Sequence, residues 1–174
     1  MRTHSVRPGR LAAAAAVACA AALIPVASLA ATGGPAATQG CSTAGLVVWM
    51  NTQGNGYAGG VGYTLEFTNL SGHACTLRGN PGVSAVSLAG GQLGQPAGWS
   101  GTPGTVTLAS GATATATLQI TDVGVYSPGQ CTPVTAAGLR VYPPGQTIAR
   151  LIPFPFRACS ASGPVYLTAA PVQP

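Results

Sequence analysis

Lysine is missing from this 174-residue chain, and its acids number two, Glu66 and Asp122. Catalysis by paired carboxylates would need those two to meet across one bond, and calcium would need a cluster of acidic oxygen ligands that the chain does not hold. The seven basic residues are all arginine and are scattered. A nucleic-acid footprint is a clustered basic face, so no nucleic-acid partner is expected. No CxxC pair supplies the usual zinc spacing. Aromatic residues make up 6% of the chain, while glycine and proline number 25 and 15. That composition, with no amphipathic helical period anywhere, turns the expectation toward short strands and turns.

What is present begins with a targeting segment. Arg2, Arg7 and Arg10 precede an Ala-rich apolar run from Leu11 to Leu29 that ends in Ser28-Leu29-Ala30. A basic start, an apolar middle and a small-residue site describe a secretory signal peptide over residues 1–30, cleaved after Ala30. Pro25 interrupts the run and no basic stop-transfer cluster follows, which argues against a transmembrane segment in the mature chain. Ala16-Val17-Ala18-Cys19 is a poor likeness of a lipoprotein site, so soluble export is expected. Without the signal the chain carries Arg78, Arg140, Arg150 and Arg157 against two acids, a net charge of +2.

Beyond Cys19 the cysteines are Cys41, Cys75, Cys131 and Cys159, an even number in a chain bound for an oxidising compartment. Three pairings are possible. Chain order favours Cys41 with Cys75 and Cys131 with Cys159, because each bridge then ties neighbouring segments.

The stretch Val61–Val86 carries the fold signal. Val61, Tyr63, Leu65 and Phe67 fall on one face of an extended chain and Gly62, Thr64, Glu66 and Thr68 on the other. Asn69-Leu70-Ser71-Gly72 then supplies turn chemistry, and Asn80-Pro81-Gly82 a second corner. Leu46–Met50 reads as a short apolar strand with Trp49 in the core. Asn51–Gly60 reads as a loop, Gly90-Gly91 as a two-residue hairpin turn, and Gln92–Gly104 as an irregular loop bearing Trp99. In Ala112–Ile120 alanine, leucine and isoleucine alternate with threonine and glutamine, so small residues face inward and β-branched ones outward. A threonine ladder on one strand is too narrow to bind ice or a crystalline polymer. Asp122-Val123-Gly124-Val125-Tyr126 has the spelling of a tyrosine corner, although Cys131 arrives late for that motif. Pro153-Phe154-Pro155-Phe156 fits only a sheet edge or a polyproline-like crossing. Together these signals predict an all-β, immunoglobulin-like antiparallel β-sandwich of about seven to nine strands, stapled by disulfides. Residues 31–40 form a flexible leader, 41–170 the domain, and 171–174 a fraying tail.

From about Cys41 to Val165 the chain resembles a family of actinobacterial secreted and lipid-anchored proteins, a domain of unknown function (number four-two-three-two). The likeness rests, in order, on Phe67-Thr68-Asn69, Cys75-Thr76-Leu77, Gly79–Val83, Leu108–Ala112 and Gly138–Pro144. Asn80 and Ser110 depart from residues common at those positions in the family. The resemblance implies an exported immunoglobulin-like sandwich and brings no activity, cofactor or active residue with it.

Chemical motifs are sparse. Gly98-Trp99-Ser100-Gly101 nearly spells a nucleophile elbow, but Thr102 stands at its last glycine and no helix follows, as such an elbow requires. A serine hydrolase using Ser100 is nonetheless the alternative from another functional class. His73 and Cys75 lie close together, yet a disulfide removes the thiolate a metal needs. Asn69-Leu70-Ser71 is a glycosylation sequon in spelling, and its turn role already accounts for the residues. No catalytic residue, metal or cofactor is expected. With so few charges, the exterior favours neutral polymers or other proteins as partners. Trp99, Tyr57, Arg140 and Tyr142 are the candidate binding side chains, since exposed aromatic and arginine groups anchor partners. The expectation is an exported, non-enzymatic module, extracellular or associated with the cell wall, that binds a wall polymer or another exported protein.

Overall fold

The structure is a computed structural model that describes residues 38–160 and 163–174. The signal peptide, Cys19 and most of the leader lie outside the described residues.

Eleven strands follow one another among those residues: β1 (Leu46–Tyr57), β2 (Gly60–Asn69), β3 (Cys75–Arg78), β4 (Gly82–Val86), β5 (Gln92–Leu93), β6 (Gly98–Trp99), β7 (Thr105–Leu108), β8 (Thr113–Thr121), β9 (Pro133–Tyr142), β10 (Arg150–Cys159) and β11 (Leu167–Ala169). They form a five-stranded sheet in the order β1-β2-β8-β11-β6, a four-stranded sheet β10-β9-β4-β5, and a β3-β7 pair. Pairing is antiparallel except between β11 and β6. The alternation read from the sequence holds where it was strongest. Leu65 and Phe67 of β2 and Ala114, Ala116 and Leu118 of β8 are buried, and they share one core with Val83, Leu139 and Val141 of the second sheet and Leu77 and Leu108 of the β3-β7 pair. Alanine on β8 brings the layers close, so larger residues opposite fill the space.

Two bridges are present, Cys41–Cys75, which ties the segment before β1 to β3, and Cys131–Cys159, which ties the segment before β9 to the end of β10, with Cα atoms 4.9 and 5.1 Å apart. The first is reinforced by backbone bonds from Cys41 N–H to the Thr76 carbonyl and from Thr76 N–H to that of Gln39, each 2.9 Å. Residues 39 and 40 therefore belong to the domain, although the leader was expected to run through residue 40. The far end differs in the same sense. Val172 is buried and Gln173 exchanges two 2.8 Å backbone bonds with Thr115, so the expected frayed tail is docked.

Four other expectations are corrected. Asn51–Gly60 is strand, because β1 continues past a bulge between Asn51 and Asn55 and pairs Tyr57 with Gly60. Trp49 is 57% exposed. Leu46, Val48 and Met50 take the inward phase of β1, leaving Val47 and Trp49 on the outer face. The Gly90-Gly91 hairpin has a three-residue loop: Gly90 N–H and Ser87 N–H bond to Ser87 and Gly91 carbonyls, with only Gly90 at positive φ, +78°. Tyr126 is no tyrosine corner, since its hydroxyl donates to Val165, 39 residues downstream, at 3.5 Å. By contrast β10 is a sheet edge, as its prolines require, with a bulge between Pro153 and Phe156. Gly138 faces that bulge, where an added Cβ would stand 2.2 Å from the Ile152 carbonyl oxygen.

Asn69 is fully buried at the end of β2. Its amide nitrogen donates to the carbonyls of His73, Leu108 and Ala109 at 2.8, 3.1 and 3.2 Å, and its amide oxygen accepts from Ser71 N–H and Oγ at 3.0 and 2.7 Å. This one side chain fastens β2 to the following turn, to the end of β7 and to the β7–β8 turn. An amide so occupied is closed to glycosylation. Asn69→Ala leaves buried carbonyls without a donor and is expected to cost about 3 kcal/mol of unfolding free energy, whereas Leu70→Ala next to it stays within about 0.5. Urea denaturation of both variants checks the contrast.

Tyr166 is also fully buried, its hydroxyl donating to the Leu93 carbonyl at 3.0 Å. Burial pushes its phenol up to about 12 from an ordinary 10.0. The folded state thus holds the proton that the unfolded chain releases. The contribution is complete below pH 10 and is lost as pH rises toward 12, a decline on the order of 2 to 3 kcal/mol. Denaturation midpoints across that range should fall, and Tyr166→Phe should remove this part of the slope.

Candidate functional site

On the outer face of the five-stranded sheet two threonine-bearing strands, β2 and β8, lie beside β1. Register places Val47, Thr68 and Thr113 side by side, then Trp49, Glu66 and Thr115, then Asn51, Thr64 and Thr117. Strands lie about 4.8 Å apart and same-face residues about 6.8 Å apart along each strand, so the side chains form a two-dimensional lattice. Thr68 and Thr113 join hydroxyls at 2.8 Å. Glu66 is the one charged residue among the nine. The threonines that one strand offers too narrowly are doubled by β2, and β1 adds an exposed indole at the edge.

Tyr57 ends this face. It stands opposite Gly60, where an added Cβ would lie 2.5 Å from the Tyr57 hydroxyl, so the glycine lets the phenol ring lie down on the hairpin. Of the four residues expected to form a binding surface, only Tyr57 belongs here. Trp99, 71% exposed, sits on β6 at the opposite edge of the sheet. Arg140 and Tyr142 lie on β9 in the other sheet. Arg140 donates to the Gly90 carbonyl at 2.6 Å, and Tyr142 packs against Gly82. The four do not converge. Sequence reasoning missed Trp49 because an apolar run with residues in both phases does not say which phase faces inward.

The residues that spelled chemistry are also apart. Ser100 follows β6, and its N–H donates to the Ala169 carbonyl at 3.1 Å. His73 lies in the β2–β3 turn with Nδ1 3.1 Å from the Ser71 carbonyl oxygen. Asp122 follows β8 and accepts from Gly124 N–H at 2.8 Å. His73 and Asp122 bond within their own turns, and among the described residues no hydrogen bond links any two of the three. Glu66 is at mid-sheet, six strand residues before the point where β8 ends beside Gly60. Among the described residues no group of three or more His, Cys, Asp or Glu could hold a metal.

A second feature is a cleft of about 330 Å³ where the ends of β2 and β8 meet β10. Gly60, Tyr63, Asp122, Val123, Phe156 and Arg157 line it. Tyr63 meets Phe154 edge-on at 5.0 Å and Phe154 stacks on Phe156 at 5.9 Å, an aromatic tier behind the opening.

Fold and disulfides define an all-β, two-bridge domain of packed antiparallel sheets. Within that class the sequence matches the family described as Domain of unknown function (DUF4232) over residues 41–173, and the chain belongs to that family. No curated protein and no solved structure matches it.

Both tryptophans stand on the surface, so acrylamide should quench nearly all of the native fluorescence. Trp49→Phe and Trp99→Phe should each remove a quenchable component, and a protected component in Trp99→Phe would place Trp49 inside.

Proposed function

We propose that the chain is an exported, non-enzymatic module of the cell envelope whose outer five-stranded face binds a neutral polysaccharide. The observation that carries this reading is the lattice of threonine hydroxyls on β2 and β8, with one charge in its middle and Asn51, Trp49 and Tyr57 beside it on β1. Hydroxyl and amide side chains match the hydroxyls of a sugar polymer without the desolvation cost of burying ions. Amphipathic aromatic rings add contact area at little entropic cost. Strands already fixed by their ladders lose little further freedom on binding, which favours an extended, regular ligand.

Export is supported by the signal-like segment before Ala31 and by the two bridges, a pattern of oxidising compartments. No helix among the described residues is long and apolar enough to cross a membrane. A catalytic role has no support in the positions of Ser100, His73 and Asp122, which meet nowhere.

Sedimentation with microcrystalline cellulose, chitin and purified wall sacculi tests the reading. Retention on at least one is expected, and Trp49→Ala or Thr117→Lys should weaken it about tenfold, or 1.4 kcal/mol. Both positions are exposed, so folding should be unaffected. Equal retention of Thr117→Lys, or retention on none of the three, overturns the assignment.

A further inference from the structure

The cleft between β2, β8 and β10 holds two of the six charged residues that follow the signal segment, and they are of opposite sign. Asp122 and Arg157 line the same opening without forming an ion pair. Elsewhere the arginines of the second sheet are engaged: Arg140 donates to the Gly90 carbonyl, and Arg150 to that of Thr43 at 3.0 Å. Arg157 makes no side-chain hydrogen bond to any described residue. Asp122 directs one oxygen to Gly124 N–H, and its other oxygen has no hydrogen-bond partner among the described residues.

The Asp122 side of the cleft is tied to the β1–β2 turn. Asp122 N–H bonds to the Gly59 carbonyl at 2.8 Å, and Gly59 sits at φ +85°. A Cβ on Gly60 would lie 2.5 Å from the Ile120 carbonyl oxygen, so no larger residue fits at this position of the lining. Tyr63 and Phe156 contribute aromatic surface, and a volume near 330 Å³ is in the range of small-ligand sites.

We infer that this cleft binds a zwitterion of the amino-acid or short-peptide class bearing an apolar side chain. The ligand ammonium faces Asp122, its carboxylate faces Arg157, and its side chain lies against Tyr63 and Phe156. A cation beside aromatic rings gains further from their quadrupoles, and guanidinium is suited to carboxylate through paired N–H donors. A ligand with one charge satisfies one wall and leaves the other unpaired, so selectivity follows from the pair. This site is separate from the polysaccharide face and stands whether or not that face binds a glycan.

Titration calorimetry of the disulfide-bonded protein with the dipeptide Ala-Phe tests it, alongside the N-acetylated, C-amidated and doubly blocked forms. Saturable binding of the free dipeptide is expected, at least tenfold weaker when either terminus is blocked and weaker at higher salt. Asp122→Asn keeps the oxygen that accepts from Gly124 and removes the charge; it should lose the preference for a free amino terminus and keep that for the carboxylate. Arg157→Gln should do the reverse. Unchanged melting temperatures show that both variants are folded. No saturable binding up to millimolar dipeptide, equal affinity for the doubly blocked form, or wild-type selectivity in both variants overturns the inference.

Discussion

The amide of Asn69 is the constraint from which the arrangement of the layers follows. A buried amide is costly unless its donors and acceptor are all met, and here they are met by carbonyls and a turn from three separate segments. Only one relative placement of β2, the β2–β3 turn and β7 satisfies it. That placement brings Cys75 to the edge of the core, where Cys41 can reach it, and starts β8 in register with β2. The disulfide then holds a geometry that the hydrogen bonds have already selected. Polar specificity and covalent closure act on the same corner of the domain.

Much of the architecture was legible because period-two alternation is a direct consequence of strand geometry. Val61–Thr68 and Ala112–Ile120 declared their alternation, and it is sorted as read from Leu65 to Thr68 and along β8, while Val61–Thr64 is half-buried on both faces. The prolines of β10 excluded an interior strand. The misread segments share a physical cause. Asn51–Gly60 is rich in residues that suit turns, but ladder bonds to a neighbouring strand need only backbone, and the neighbour is supplied by tertiary structure. The docked terminus at Gln173 and the bonds at Gln39 are likewise backbone pairings with distant segments, invisible in local composition.

The candidate surfaces were less legible than the fold. Exposed aromatic residues can be named from a sequence, but their convergence depends on sheet order. Trp99 and Tyr57 share a sheet and stand at its opposite edges; Arg140 and Tyr142 are in the other one. What the sequence did contain was the threonine ladder of β8. Its breadth arises only when Thr64 and Thr68 are set beside it by register. In the same way Asp122 and Arg157 are unremarkable as isolated charges, and come to line one cleft only where β2, β8 and β10 meet. A chain with few charges makes such a meeting chemically conspicuous, because little else competes for a charged ligand.

The two long outer strands differ in one further respect. β10 carries proline at 153 and 155, positions that offer no N–H, while β1 is bonded on one side only and runs from Leu46 to Asn51 without proline or charge. The other margins of these two sheets, β6 and β5, are two residues long, and those of the β3-β7 pair are four. Among the described residues β1 is therefore the longest proline-free margin open to strand addition. Antiparallel pairing of one such margin with another would join two copies about a two-fold axis and use that margin up in both.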